Sequence, residues 1–254
     1  MTKSRRRQQA VRDMTFDEKV LTASKEPTYA KSNKLFVHPV RTNRTTRAIG
    51  HFPSQVMEAM LPFHSEPERV LLNLLDLTIG VSKFLPQPET FEWSDGKNKR
   101  RYTPDCGVFA LDRRIMVEAK LEADANTPEN VEIRELSAPF LAADGWELVL
   151  VTDATLFHPD LLRNIRTIRR RRAHPYHVTA IRKLQQLLQD QDVMTFADCA
   201  AVVTSMGGDA DLIYAAIGRR ELYCNLWKPL TERSNLIHPK RAPRPFLFEL
   251  FGEV

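Results

Sequence analysis

The sequence has no long apolar run. No segment approaches the roughly 18 consecutive apolar residues that a membrane-spanning helix requires, although 43% of the 254 residues are hydrophobic. The first residues, MTKSRRRQQAVRD, are basic and polar and lack the apolar centre of a secretory signal. Because the chain is long enough to bury a substantial core, we expect a globular protein of the cytoplasm without membrane contact.

Cysteine is scarce, and nucleotide-binding motifs are missing. Cys106, Cys199 and Cys224 are far apart and form no CxxC pair, which argues against a disulfide framework and against a cysteine zinc site. Neither GxxxxGK[ST] nor GxGxxG occurs. We therefore expect no nucleotide pocket, and any ATP dependence would come from a partner.

Positive charge is concentrated in two segments. Residues 1–50 contain twelve Lys and Arg against four acidic residues, and residues 163–183 contain eight Lys and Arg and no acid. Such segments suit a polyanion such as nucleic acid, because neutralised phosphates release condensed counterions. Residues 1–50 contain few apolar residues, and we expect them to form a basic, partly disordered arm. The alternative to phosphate binding is that this arm and the second segment are simply solvated, the latter as a helix face.

Local patterns predict an α/β domain over residues 51–168. The predicted elements are a helix near 65–77, strands at 90–93, 101–109 and 114–120, a helix over 127–145 and a strand at 146–153. The last strand is almost entirely apolar, as is typical of a strand buried on both faces. Together these elements predict a central mixed β-sheet flanked by helices.

The pattern changes after residue 153, and residues 169–254 predict a helical, winged-helix-like domain. The predicted elements are helices at 159–172, 177–190, 196–203 and 210–217, followed by wing strands within 219–227. A Gly-Gly turn joins the last two helices, and a hairpin after such a pair is typical of a winged helix. We place the domain boundary within 165–175, inside a basic helix.

Two short sequences, YTPD at 102–105 and EAK at 118–120, carry candidate chemistry. Glu118 and Lys120 are two apart in a predicted strand and therefore share one face. Asp105, Glu118 and the Ala119 carbonyl are oxygen ligands of the kind that Mg²⁺ prefers, and Mn²⁺ is expected to substitute for it. Lys120 would orient or help deprotonate the attacking water and offset charge on a scissile phosphate.

This set is typical of the PD-(D/E)xK nucleases, which share a restriction-endonuclease-like fold. Taken alone the spacing is loose, and a surface ion pair is the alternative interpretation. However, Glu118 and Lys120 follow the apolar residues Ile115–Val117, where charges are unfavourable unless they are paired or bound to metal. The context therefore favours a metal-dependent nuclease site.

The order of several motifs resembles the TnsA family, the endonuclease subunit of heteromeric bacterial transposases. The matching sequences are SEPER at 65–69, LLNLLD at 71–76, QP at 87–88, YTPD at 102–105, VEAK at 117–120 and VLVTD at 149–153. The likeness covers about residues 65–165 and extends less specifically into the C-terminal half. It implies cleavage of the 5′ (non-transferred) strands at the ends of a mobile element.

The resemblance also implies a set of active-site residues and partners. Glu68, Asp105, Glu118 and Lys120 would be catalytic, Glu68 would reach the metal either directly or through water, and Gln87 would have a supporting role. Glu66 competes for the place of the helix carboxylate, and Glu68 is preferred because it fills the fourth position of S-x-x-E. The implied partners are double-stranded DNA, a DDE-type transposase subunit, and an AAA+ ATPase regulator that contacts the C-terminal domain.

The basic helix supplies candidate DNA contacts. These are Arg169, Arg170, Arg171, Arg172 and Lys183, although cations at a helix end also suit the helix dipole. His174 and His177 have no third ligand in register and are interpreted as structural or phosphate-facing residues.

Two other functions stay open at this stage. One is a free-standing restriction, repair or phage endonuclease, because a fold and a triad do not determine a biological role. The other is a non-catalytic DNA-binding adaptor.

Overall fold

A computed structural model describes residues 49–88, 90–94 and 99–242. These residues form two compact units. The first contains the described residues up to Leu72 and Val81–Asp153, and the second contains Asn73–Gly80 and the described residues from Ala154 onward. Almost all of the basic arm predicted over residues 1–50 lies outside the described residues.

The first unit is built around a mixed sheet of four strands. In spatial order these are β3 (Val81–Pro86), β6 (Cys106–Ala110), β7 (Arg113–Lys120) and β8 (Glu147–Thr152). The β3–β6 and β6–β7 pairs are antiparallel, whereas β7 and β8 are parallel. Residues Ile115–Ala119 of β7 are all buried, as expected for a strand that is covered on both faces. The predicted central mixed sheet is confirmed.

Helices and two hairpins surround this sheet. The helices are α1 (Glu66–Leu77), whose residues from Asn73 onward belong to the second unit, α2 (Glu122–Ala125) and α3 (Pro128–Ala143). A short helix, α4 (Asp153–Leu156), begins at the last residue of the first unit, and its other residues belong to the second unit. The hairpins are β1 (Gly50–Ser54) with β2 (Ala59–Phe63) and β4 (Phe91–Ser94) with β5 (Lys99–Tyr102). The longest described helix, α3, has 16 residues, and none in the described part is long and apolar enough to cross a membrane.

The strand predicted over residues 101–109 is two strands rather than one. Its first part belongs to β5, which pairs with β4 in a two-stranded sheet of the described residues, and its second part is β6 in the central sheet. Thr103–Asp105 link them without regular structure, and Pro104 has no amide hydrogen to donate to a ladder. The break places Asp105 directly before β6.

The second unit is mainly helical. Its elements are α5 (Pro159–Arg171), α6 (Val178–Gln191), β9 (Val193–Thr195), α7 (Phe196–Ser205), α8 (Asp211–Gly218), β10 (Asn235–Ile237) and a short 3-10 helix (Pro239–Arg241). A capping box between Thr195 and Asp198 begins α7 at the predicted place.

The wing strands predicted within 219–227 are wrong in position. Tyr223 forms an isolated antiparallel bridge rather than a strand of a hairpin, and its partner is Ile237 in β10, which also pairs with β9. The partner strand therefore lies beyond the predicted hairpin, because residues 225–234 form a loop between the two.

Candidate active site

Asp105 is held at both its backbone and its side chain. The Gln87 amide donates to the Asp105 carbonyl at 2.9 Å, and the Ala119 amide donates to Asp105 Oδ2 at 2.8 Å. The β6–β7 ladder ends at the pair Cys106–Val117, so the Asp105 carboxylate accepts the Ala119 amide where the ladder stops. The N–H and C=O of one strand residue point to the same edge. The Ala119 carbonyl therefore points to the same edge of β7 at which the Asp105 carboxylate lies.

Glu118 and Lys120 lie on one face of β7, as their spacing predicts. Lys120 Nζ is 2.8 Å from Glu118 Oε1. The Tyr102 hydroxyl donates to Glu118 Oε2 at 2.7 Å, so both carboxylate oxygens have a partner. Glu118 is only 5% exposed, and burial together with the Glu118 charge raises the pKa of Tyr102, which keeps this hydroxyl a donor.

Glu68 is positioned by the start of α1. The Ser65 hydroxyl accepts from the Glu68 amide at 3.2 Å and donates to Glu68 Oε1 at 2.9 Å, while the His64 amide donates to Oε2 at 2.9 Å. The S-x-x-E sequence is thus a form of capping box, which turns the carboxylate back toward the helix start. Glu66, the competing candidate, instead forms an ion pair with Arg69.

Glu68 and Glu118 are close enough to Asp105 and Lys120 for their charges to shift the pKa values of both. Burial, together with the charges of Glu118 and Glu68, raises the pKa of Asp105 well above its ordinary value, although Lys120 and the Ala119 amide act in the opposite direction. Burial alone would lower the pKa of Lys120, but the charges of Asp105, Glu118 and Glu68 outweigh it and raise that pKa. The site therefore has an excess of negative charge around one protonated lysine.

His64 and Gln87 complete the site, and His64 is absent from the sequence-based candidates. Gln87 Nε2 lies 3.1 Å from His64 Nδ1, which is itself 3.7 Å from Glu68 Oε2. Gln87 has a positive φ of 46°, and its Oε1 is buried without a hydrogen-bond partner in the described part of the chain. A strained residue that presents an unpaired acceptor is typical of a functional site.

The oxygen atoms present fit a hard divalent cation. Asp105 Oδ1, the buried Gln87 Oε1 and the Ala119 carbonyl are all oxygen donors, and a cation would relieve the repulsion that raises the pKa of Asp105. No three His, Cys, Asp or Glu side chains among the described residues converge as a ready metal cage. Glu68 and Glu118 direct their oxygens to other partners, and Mg²⁺ is commonly held by only one or two carboxylates together with substrate phosphate.

Most of the predicted DNA-contacting arginines have internal partners in the second unit. Arg172 is buried and pairs with Asp76 at 2.6 Å, Arg171 pairs with Asp211 at 2.5 Å, and Arg169 donates to Asn73 at 2.5 Å. Arg172 is therefore a structural residue and not a surface contact, which corrects its predicted role. Arg170 and Lys183 are exposed.

The two histidines that follow α5 have local roles. His174 Nε2 lies 3.3 Å from Asp209 Oδ1, and His177 Nδ1 accepts from the Ala180 amide at the start of α6. This geometry agrees with their interpretation as structural residues.

No family model matches the chain, and no curated protein matches it.

Proposed function

We propose that the chain is a metal-dependent DNA endonuclease with Asp105, Glu118 and Lys120 at its active site. The observation that carries this proposal is the hydrogen bond from the Ala119 amide to Asp105, because it sets one carboxylate beside the strand that bears the Glu118–Lys120 pair. A surface ion pair would need neither the burial of Glu118 nor a third carboxylate in Glu68.

The residues divide the chemistry of phosphodiester hydrolysis between them. Asp105 and the Ala119 carbonyl would hold Mg²⁺, and Glu118 would join them once one of its carboxylate oxygens exchanges its present partner, Lys120 or Tyr102, for the cation. Glu68 and the unpaired Gln87 Oε1 would accept hydrogen bonds from water bound to the cation. The cation would supply Lewis acidity toward the phosphate and lower the pKa of a bound water. In the metal-free protein the acidic neighbours raise the pKa of Lys120 and so favour its ammonium form. Lys120 would offset phosphate charge and orient the nucleophile.

A metal titration tests this proposal. Nicking of supercoiled plasmid DNA by the full chain should require Mg²⁺ or Mn²⁺ and stop in EDTA. Ca²⁺ should bind without supporting turnover, because its looser coordination suits binding more than catalysis. Cleavage that proceeds in EDTA, or that runs equally fast in Ca²⁺, would count against a Mg²⁺-type site.

The biological setting that we propose is a transposase subunit of the TnsA type. In this account the first unit is restriction-endonuclease-like, and the order α6, β9, α7, α8 and β10 in the second unit supports a winged-helix-like domain. The protein would cut the 5′ strands at element ends, together with a DDE-type transposase and an AAA+ regulator that binds the C-terminal domain. These partners derive from the motif resemblance alone.

Partner dependence is open to direct test. Cleavage at element ends by the full chain is compared with and without the DDE-type transposase and the AAA+ ATPase proposed as its partners. We expect the partners to raise the rate at least tenfold and to restrict cuts to the 5′ strands. Equal rates and unrestricted cutting by the isolated chain would favour a free-standing endonuclease instead.

A further inference from the structure

Helix α5 presents two different faces. One face packs within the second unit through Leu161, Ile165 and Ile168, and it continues into the buried Arg172. The other face carries Arg163, Arg166 and Arg170, which are all exposed and recur at intervals of three and four residues. These three residues, here called the arginine stripe, therefore lie along one side of the helix.

The arginine stripe has few partners. Arg163 pairs with Asp160 at 3.0 Å and remains 66% exposed, whereas Arg166 and Arg170 make no ion pair within the described residues. Like charges three or four residues apart destabilise a helix. The helix dipole favours Arg170 in the last turn but gives no advantage to Arg163 near the start. Folding alone therefore does not account for the stripe.

Helix α8 is not available to read DNA. In a winged helix that enters a groove, the second helix of the helix-turn-helix must be open to solvent. Here no residue of α8 is exposed, and a Cβ on Gly218 would lie 3.1 Å from Ile168 and 3.2 Å from Arg172. Asp211 pairs with Arg171 and its side chain stays 47% exposed, while the Arg171 guanidinium lies over the Tyr214 ring. An exposed carboxylate repels phosphate, so another surface of this unit is better suited to contact DNA.

We propose that the arginine stripe binds the phosphate backbone of duplex DNA without reading sequence. This inference rests on the proposed function, which supplies DNA as the substrate. Arg163 and Arg170 are seven residues apart, about 10 Å along the helix axis, which matches the axial rise of about three nucleotides of one strand. Guanidinium groups suit this role because their planar donors match phosphate oxygens in pairs.

Salt dependence of binding tests the stripe. Each phosphate contact contributes about 0.9 to the slope of log K against log salt concentration, so removing three should reduce the slope by about 2.7. The full chain carrying Asp105→Asn, which prevents cleavage, is titrated with fluorescent duplexes of several sequences in EDTA. Adding Arg163→Gln, Arg166→Gln and Arg170→Gln should weaken binding equally for every sequence. The ratio of the DNA affinity with the stripe intact to that of the triple variant should fall about 40-fold as salt rises from 50 to 200 mM.

A matched control removes equal charge elsewhere. Lys228→Gln, Arg233→Gln and Lys240→Gln also remove three exposed cations of the second unit, all outside the basic segment 163–183, and should leave the slope almost unchanged. If the stripe variant keeps the salt slope of the parent protein, or if the control variant loses as much slope, the arginine stripe does not bind DNA. The stripe would then suit another partner, such as an acidic protein. Failure of the unsubstituted stripe protein to bind any duplex at 50 mM salt would instead overturn the proposed function as well.

Discussion

Lys120 Nζ lies 2.8 Å from Glu118 Oε1, and the two side chains are 32% and 6% exposed. An ion pair at this depth rarely stabilises a fold more than well-packed apolar residues would, because both charges lose their hydration. The neighbouring residues Ile115–Val117 are all buried and apolar. The pair is therefore better explained by the chemistry of the site than by the stability of the sheet.

The stability of this pair can be measured by removing one member. Lys120→Met leaves the Glu118 charge buried with Tyr102 as its partner, and the free energy of unfolding should fall by about 1–3 kcal/mol in urea. The double variant Glu118→Leu with Lys120→Met should recover most of that loss. Arg163→Met, at a 66% exposed pair, is the control and should change stability by less than about 0.5 kcal/mol. Equal effects at the two sites would mean that the Glu118–Lys120 pair is solvated.

Tyr102 orients the Glu118 carboxylate. Tyr102→Phe keeps the ring in its core position beside Met116 and Leu141 but removes the 2.7 Å hydrogen bond to Oε2. We expect a loss of about 1–3 kcal/mol in unfolding free energy, because a buried charged acceptor loses its donor. Cleavage should slow about tenfold or more as Glu118 loses its orientation. Unchanged cleavage by a folded Tyr102→Phe protein would remove Tyr102 from the site.

The raised pKa of Asp105 predicts a pH-dependent effect on stability. Since the folded, metal-free protein holds this proton more tightly than the unfolded chain, Asp105 contributes stability that is fully present below about pH 3.8. That contribution is lost as pH rises through the folded pKa. Asp105→Asn removes the charge and keeps an acceptor for the Ala119 amide, so it should be more stable than the wild type at pH 8 in EDTA.

This advantage should shrink as the pH is lowered toward 5, which urea denaturation at several pH values will measure. Asp112→Asn, on the exposed turn between β6 and β7, controls for the general loss of one negative charge. A stability difference between Asp105→Asn and wild type that is independent of pH would contradict the electrostatic explanation.

The positive φ of Gln87 should lower the stability of the protein, while its side chain should be needed for cleavage. Its φ of 46° favours glycine, so Gln87→Gly should be about 1 kcal/mol more stable than Gln87→Ala. Both variants remove the unpaired Oε1, and both should cleave DNA at least tenfold more slowly than wild type. Full activity in Gln87→Ala would show that the side chain has only a structural role beside His64.

Several features followed from local patterns. The helices α1, α3, α5 and α6 and the strand β8 have apolar spacing or capping residues that act within a few positions, so the sequence predicted them. The shared face of Glu118 and Lys120 needed only the two-residue period of a strand. The S-x-x-E sequence likewise marked both the start of α1 and the carboxylate that its cap orients.

Features that depend on long-range pairing were not predictable in the same way. The division between β5 and β6 depends on which strand each one pairs with, and β3 pairs with β6 across an intervening hairpin. The His64–Gln87 contact joins residues 23 positions apart. The arginine run is different, because successive residues turn by about 100° around a helix and so four in a row cannot share one face. Arg163, Arg166 and Arg170 are spaced three and four residues apart and can share a face, and this spacing can be read from the sequence alone.

The most direct test of the central claim combines cleavage and metal binding in three variants of the full chain. Plasmid nicking is measured with enzyme in excess and Mn²⁺ present, and Mn²⁺ binding is followed by electron paramagnetic resonance. We predict that Asp105→Asn and Glu118→Gln lose both cleavage and tight Mn²⁺ binding, whereas Lys120→Met loses cleavage, by about 100-fold or more, but still binds the ion. Folded Asp105→Asn protein that nicks DNA as fast as wild type, or binds Mn²⁺ equally well, would contradict the account.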